Sequence, residues 1–314
     1  MKVKVLILWS MFFAGALCAC KDDGIDARFL EEEKTLAEYI ETTYGDNYIY
    51  LGDGIYLIKT HENTEGAVVE AGSYILWNWK RINQITEELE YTSDVSNNKF
   101  PDSYVDGGPE ITLVQSFKID EALKQMQKEE KGDVFIPSRH LFYDFQPRIY
   151  SVEIVDVIKD LSVYQEALMC GYIKKRHKGA LVDTIKNVIS TIDNTEYNVM
   201  YHIIKEGTGE EITDGKNIDT KTNISYFIQM NSESDIHSFQ VNQDITWNTN
   251  KTNTLTLTKT NCVGEILKKM KRGGIVDVSM PAKLFWEDKY LPVNNHGQFF
   301  IPKWSVVVFT ITIK

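Results

Sequence analysis

Residues 111–137 read ITLVQSFKIDEALKQMQKEEKGDVFIP, and residues 255–281 read LTLTKTNCVGEILKKMKRGGIVDVSMP. Aligned without a gap, 144 residues apart, they place Leu113 on Leu257, Leu123 on Leu267, Lys124 on Lys268 and Met126 on Met270. The same register puts Asp133 on Asp277, Val134 on Val278 and Pro137 on Pro281. One residue is then lost, and Leu141-Phe142-Tyr143-Asp144 matches Leu284-Phe285-Trp286-Glu287. Solenoids and propellers repeat every ~20–50 residues, so a period this long marks a duplicated domain.

Outward from the two stretches, each copy has the same plan. Apolar residues at helical spacing run from Arg28 to Tyr44 and from Leu161 to Tyr172, so each copy is expected to open with a helix. Alternating β-rich segments follow: Gly54 to Ile58 and Ser73 to Trp79 in the first copy, Val199 to Ile204 and Thr222 to Ile228 in the second. A short helix is expected over Ile119 to Gln127 and over Val263 to Lys271. A strand ending in Pro137 or Pro281 comes next, then a loop and a last strand, Tyr150 to Val157 or Val306 to Ile313. This order predicts an α+β fold of two domains, each an antiparallel sheet packed against a short helix and each preceded by a helix of its own. The expected boundaries are 28–160 and 161–314.

The beginning of the chain reads as an address. Lys2 and Lys4 precede an apolar run from Val5 to Leu17 that is too short to span a bilayer, which is the pattern of a secretory signal over residues 1–20. It ends in Leu17-Cys18-Ala19-Cys20, which resembles a bacterial lipobox with Cys20 as the lipid-bearing residue. Residues 21–27 would form a tether, and the expected location is an outer membrane lipoprotein of the cell envelope, periplasmic or surface-exposed. The formal net charge of −11 repels phosphate backbones, so nucleic acid is not an expected partner. Cys170 and Cys262 occupy non-equivalent positions of the two copies, and two unpaired thiols are expected, with a disulfide as the alternative. The six histidines are scattered, and neither a metal nor another cofactor is expected.

Several phrases resemble the FKBP-type peptidyl-prolyl isomerases. Val199-Met200-Tyr201-His202-Ile203-Ile204-Lys205-Glu206-Gly207-Thr208-Gly209 is similar to that family's opening strand and Gly-x-Gly turn. Glu265 to Met270, Gly273, and Met280-Pro281-Ala282-Lys283-Leu284-Phe285-Trp286 resemble its helix, glycine and proline-led loop; Ile301-Pro302 and Val307 to Ile313 resemble its closing segment. The resemblance implies two FKBP-like domains and a pocket for proline-containing peptides or exported proteins. Carried over position by position, the pocket falls on Trp79, Tyr91, Ile119, Tyr143 and Tyr150 in the first copy. In the second it falls on Tyr226, Phe239, Val263, Trp286 and Phe309. Two positions depart from the family. Its Asp becomes Thr92 and Gln240, and the Trp at the pocket floor becomes Ile119 and Val263. The function implied is that of an isomerase and folding helper. The alternatives are a non-catalytic binding module at the cell surface and, for the aromatic residues, simple core packing.

Overall fold

The computed structural model describes residues 23–93, 110–190, 194–230, 236–249, 259–285, 301–302 and 304–314. The signal segment with Cys20 and the loop position Trp286 lie outside the described residues. Helix α1 spans Asp23–Tyr44, followed by β1 (Ile49–Gly52), β2 (Ile55–His61), β3 (Tyr74–Asn83), β4 (Leu89–Thr92) and β5 (Glu110–Leu113). Then come α2 (Lys118–Leu123), β6 (Lys131–Ile136), β7 (Arg148–Ile158) and α3 (Leu161–Arg176). The remaining elements are β8 (Asp183–Ile189), β9 (Glu196–Lys205), β10 (Asn217–Phe227), β11 (His237–Asn248), α4 (Lys259–Leu267), β12 (Ile275–Pro281) and β13 (Val306–Ile313).

The α+β architecture is present as two sheets. One has the order β1-β2-β6-β7-β3-β4, with β5 also pairing β3; the other has the order β11-β10-β13-β12-β9-β8. Read from the opposite edge, the second repeats the order of the first. By compactness, Met1–Thr60, Arg81–Tyr91 and Gly132–Ser151 form one unit, and His61–Lys80, Thr92–Lys131 and Val152–Lys314 form the other.

Both short helices end four residues before their periodicity predicts: α2 is shorter than expected, whereas α4 keeps its expected length but begins earlier, at Lys259. Each stops at its leucine, Leu123 or Leu267, and the chain then tightens: Met126 N–H donates to Leu123 O at 2.9 Å, and Met270 N–H to Leu267 O at 3.0 Å. A three-residue hydrogen bond of this kind closes a helix end while keeping the following side chain inward. Met126 and Met270 are accordingly buried. Gly207 takes a left-handed φ of 88°, and a Cβ there would lie 2.4 Å from Lys271 O, so this turn requires glycine.

In the larger unit, the central strands β12 and β13 of the second sheet are buried on both faces. Val263, Ile266 and Leu267 of α4 pack on one face with Val307, Phe309 and Ile311 of β13. Met169, Tyr172 and Ile173 of α3 pack on the other with Val306 and Val308. Strand period 2 distributes these neighbours, so a strand between two layers reads as a continuous apolar run. In the smaller unit, Leu36 and Ile40 of α1 pack on Tyr56, Ile58 and Phe135. The helix opening each copy thus supplies a layer of its own.

The end of α3 is tied to the sheet by one buried carboxylate. Asp277 receives His177 Nε2 at 2.8 Å and Arg176 Nε at 3.2 Å on Oδ2, and Thr310 Oγ1 donates to its Oδ1 at 2.6 Å. Asp133, its match in the repeated stretch, accepts a hydrogen bond from Ser151 Oγ. Removing a buried acceptor leaves its donors unpaired. Asp277→Ala is therefore expected to cost about 3 kcal/mol, measured by urea denaturation.

Candidate functional site

In the larger unit the second copy's pocket positions converge. Tyr226 on β10, Val263 at the heart of α4 and Phe309 on β13 belong to one buried core, with Trp247, Phe285 and Ile301. Tyr226 pairs with Val307 on one side and His237 on the other, and its ring lies 5.2 Å from the His237 ring. Phe309 lies 4.5 Å from Phe285 and 5.9 Å from Trp247, the latter edge-on at 85°. Phe309 is 0% exposed, so it serves as core whatever else it does. Phe239 lies on β11 where the register slips between the Ile224–Gln240 and Ser225–Ser238 pairs; its side chain is outside the described residues.

The first copy's positions are divided between the two units. Trp79 and Ile119 fall in the larger one, and Tyr91, Tyr143 and Tyr150 in the smaller. Trp79 stacks on Trp77 at 5.6 Å, and its Nε1–H donates to Glu110 Oε2 at 3.0 Å. Ile119 is half-buried near the start of α2, and Tyr91 is half-buried on β4.

Tyr143 is 68% exposed, with φ 57°, on a loop whose neighbour Phe145 has φ 60°. Left-handed backbone at aromatic residues is costly and needs support from its surroundings. Here α1 supplies it: the Glu32 carboxylate accepts from Ser138 N at 2.7 Å and Ser138 Oγ at 2.6 Å, and the Phe29 ring meets Tyr143 at 5.7 Å and Phe145 at 4.6 Å. Beside this loop, a cleft of about 280 Å³ runs between α1 and the Gln84-Ile85, Phe145 and Pro147 positions.

Tyr150 is buried against a charge cluster that sequence reasoning missed. Arg148, whose side chain is 6% exposed, contacts Glu90 at 2.7 Å and Asp144 at 2.7 Å; Arg81 reaches the same Glu90 at 3.0 Å. Phe142 lies 4.9 Å from the Arg81 guanidinium and 5.1 Å from that of Arg148. Burial raises the Tyr150 phenol against the opposing pull of Arg81, so the ring stays neutral. Burial also works against a charged Asp144, but the hydrogen bonds and charge of Arg148 outweigh it and hold the carboxyl below its usual range. No spacing rule joins Glu90 to Arg148, whereas Trp247 could have been found from strand alternation, since it shares the inward face of Ile245.

The site offers packing and hydrogen-bond donors. Burial pushes the Cys262 thiol up to about 12, which leaves it inert as a nucleophile, and neither Cys170 nor Cys262 is in a disulfide.

Among solved structures, this chain is similar to a peptidyl-prolyl cis-trans isomerase from Pseudomonas syringae pv. tomato, at 16% identity over 42% of this chain and 95% of that one, with a TM-score of 0.33. It is similar to FkpA from Escherichia coli at 14% identity over 51% and 74% of the two chains, with a TM-score of 0.34. A structure of the three FKBP domains of wheat FKBP73 matches at 12% identity over 85% and 97%, with a TM-score of 0.28. At such identities and scores these likenesses carry no argument about the family or activity of this chain. No family model and no curated protein matches the chain.

Glu90→Ala would leave the buried Arg148 with only one of its two counter-charges and is expected to cost about 3 kcal/mol in chemical denaturation. The sign for Asp144 follows from its depressed value: its contribution is present above the unfolded carboxylate pKa of about 3.9 and is lost as pH falls through the lower folded value. The stability gap between wild type and Asp144→Asn should therefore be full at neutral pH and vanish in acid, as followed by thermal melts across pH.

Proposed function

We propose that this chain is an envelope lipoprotein, held at the outer membrane by an acylated Cys20, that binds proline-containing segments of exported proteins and assists their folding as a peptidyl-prolyl isomerase. The observation that carries the reading is that Tyr226, Trp247 and Phe309 share one apolar core with Val263, with Phe285 packed against it. Rotation about a prolyl amide is resisted by its conjugation, with a barrier of ~18–20 kcal/mol. An aromatic-lined hollow that grips the ring and excludes water favours the rotated, less conjugated amide over the planar one. Such chemistry needs shape and a few donors, and neither a nucleophile nor a metal takes part. Among the described residues no helix is long and apolar enough to cross a membrane. Attachment through lipid at Cys20 is supported by the Leu17-Cys18-Ala19-Cys20 sequence.

A second reading, peptide binding without catalysis, is favoured by Val263, which puts an aliphatic side chain where the resembling family carries a floor tryptophan. The first reading is tested with the full chain in detergent, by the isomerisation rate of a proline-containing tetrapeptide. Acceleration over the uncatalysed time of tens to hundreds of seconds is expected, and Trp286→Ala should reduce it about tenfold or more. Binding without acceleration selects the second reading. Palmitate labelling in the producing bacterium should be lost in Cys20→Ser; persistence refutes the anchor.

A further inference from the structure

Trp247 is 4% exposed on β11, opposite Ile218 of β10, and its ring faces the core that also holds Tyr226, Val263 and Phe309. Its Nε1–H is fully buried and, among the described residues, meets no hydrogen-bond acceptor. A buried donor without a partner forfeits its hydration, and folded proteins pair nearly all such groups. An indole kept at this cost has a use for its N–H, or the position would be as well served by phenylalanine, which packs equally against Phe285 at 6.1 Å and Phe309 at 5.9 Å.

The geometry around it points to the missing acceptor. Val263 occupies the floor position with a small aliphatic side chain, while the indole enters the same core from the neighbouring sheet strand. The rings of Phe309 and Phe285, 4.5 Å apart, lie together on one side of it and offer apolar contact for a ring or aliphatic group. A ligand seated here meets an apolar aromatic wall and one N–H donor. The complementary chemistry is an uncharged group with a carbonyl oxygen beside an apolar ring, as in a prolyl amide. A carboxylate or phosphate would enter without a cation to neutralise it, at heavy desolvation cost.

We infer that Trp247 is a binding residue of the second copy's pocket, donating its indole N–H to the carbonyl oxygen of a bound prolyl peptide; this rests on the proposed prolyl-peptide reading. The N–H takes over the anchoring of the ligand in a pocket whose floor tryptophan and polar-edge aspartate are replaced by Val263 and Gln240. A second indole N–H, that of Trp77 on β3, at a position that does not correspond to Trp247, is likewise buried without a partner, but its ring stacks on Trp79 rather than on a core shared with several pocket positions.

The test uses the full chain in detergent and the tetrapeptide Ala-Leu-Pro-Phe. At position 247 tryptophan is replaced by its sulfur isostere, β-(3-benzothienyl)alanine, which keeps the ring system and removes the donor; Trp247→Phe is the genetically encoded companion. The peptide is expected to shift the Trp247 indole proton resonance downfield, assigned by its absence in the isostere. The isostere should bind about three- to tenfold more weakly, the loss of one hydrogen bond, while its melting temperature stays level or rises. Unchanged affinity in the isostere overturns the inference, as does a lowered melting temperature with affinity retained, which would assign the N–H to a structural partner. If the unmodified chain binds no peptide, the prolyl reading itself fails and this inference falls with it.

Discussion

Successive side chains of the closing strand point into two different cores. Val306 and Val308 meet α3 on one side, while Val307, Phe309 and Ile311 meet α4 on the other. Strand β13 lies between β10 and β12, so its backbone is paired along both edges while its faces are buried above and below. A strand in that position has no solvent face, and its neighbours inherit their register from it. Tyr226 is opposite Val307 and Val278 is opposite Phe309, so the placement of Tyr226 and of the core around Phe309 follows from this pairing. A shift of β13 by one residue would exchange the two cores along this strand and turn Phe309 to the wrong layer.

The helices that precede the two copies do more than cover a sheet face. In the smaller unit, α1 holds the strained loop of Tyr143 through the Glu32 carboxylate and the Phe29 ring. Within the larger unit, α3 does comparable work at its start: Gln165 Nε2 donates to Trp304 O at 2.8 Å, and Tyr164 Oη to Ile228 O at 3.1 Å. Trp304 also meets Tyr74 at 5.2 Å, and Tyr74, Leu76 and Ile111 join Ile228 and Trp304 in one apolar cluster. Segments that border the second copy's core are therefore fixed by the helix leading into it and by β3 and β5. Binding surfaces on loops need this kind of rigid backing to hold a ligand in one pose.

The polar features of the two copies have diverged more than their apolar ones. The first copy builds a charge cluster from Glu90, Arg81, Arg148 and Asp144 around the buried Tyr150. The second surrounds Phe309 with Phe285, Trp247 and aliphatic side chains. An aromatic position kept in kind thus sits in a neutral core in one copy and beside ion pairs in the other. Equivalent positions carry different chemistry, which is why an aromatic lining inferred from one copy does not transfer unchanged to the other.

The order of elements was legible in the chain because hydrophobic period is a local property. Alternation marked β7, the unbroken run Val306 to Phe309 marked a strand, and the repeated Leu-Lys-x-Met marked the inward face of each short helix. The ends of those helices were not legible, since periodicity continues through Met126 and Met270 although the backbone has already tightened into a turn. Nor was the layer formed by each opening helix, because an amphipathic stripe does not name the sheet face that receives it. Ion pairs such as Glu90 with Arg148, and the burial of Trp247 among Phe285 and Phe309, join residues dozens of positions apart. Sequence alone determined which segments could be strand or helix and which faces had to be dry. Only the tertiary structure decided which charges are paired and which indole N–H is buried without an acceptor, since these depend on contacts that chain packing creates and no local pattern encodes.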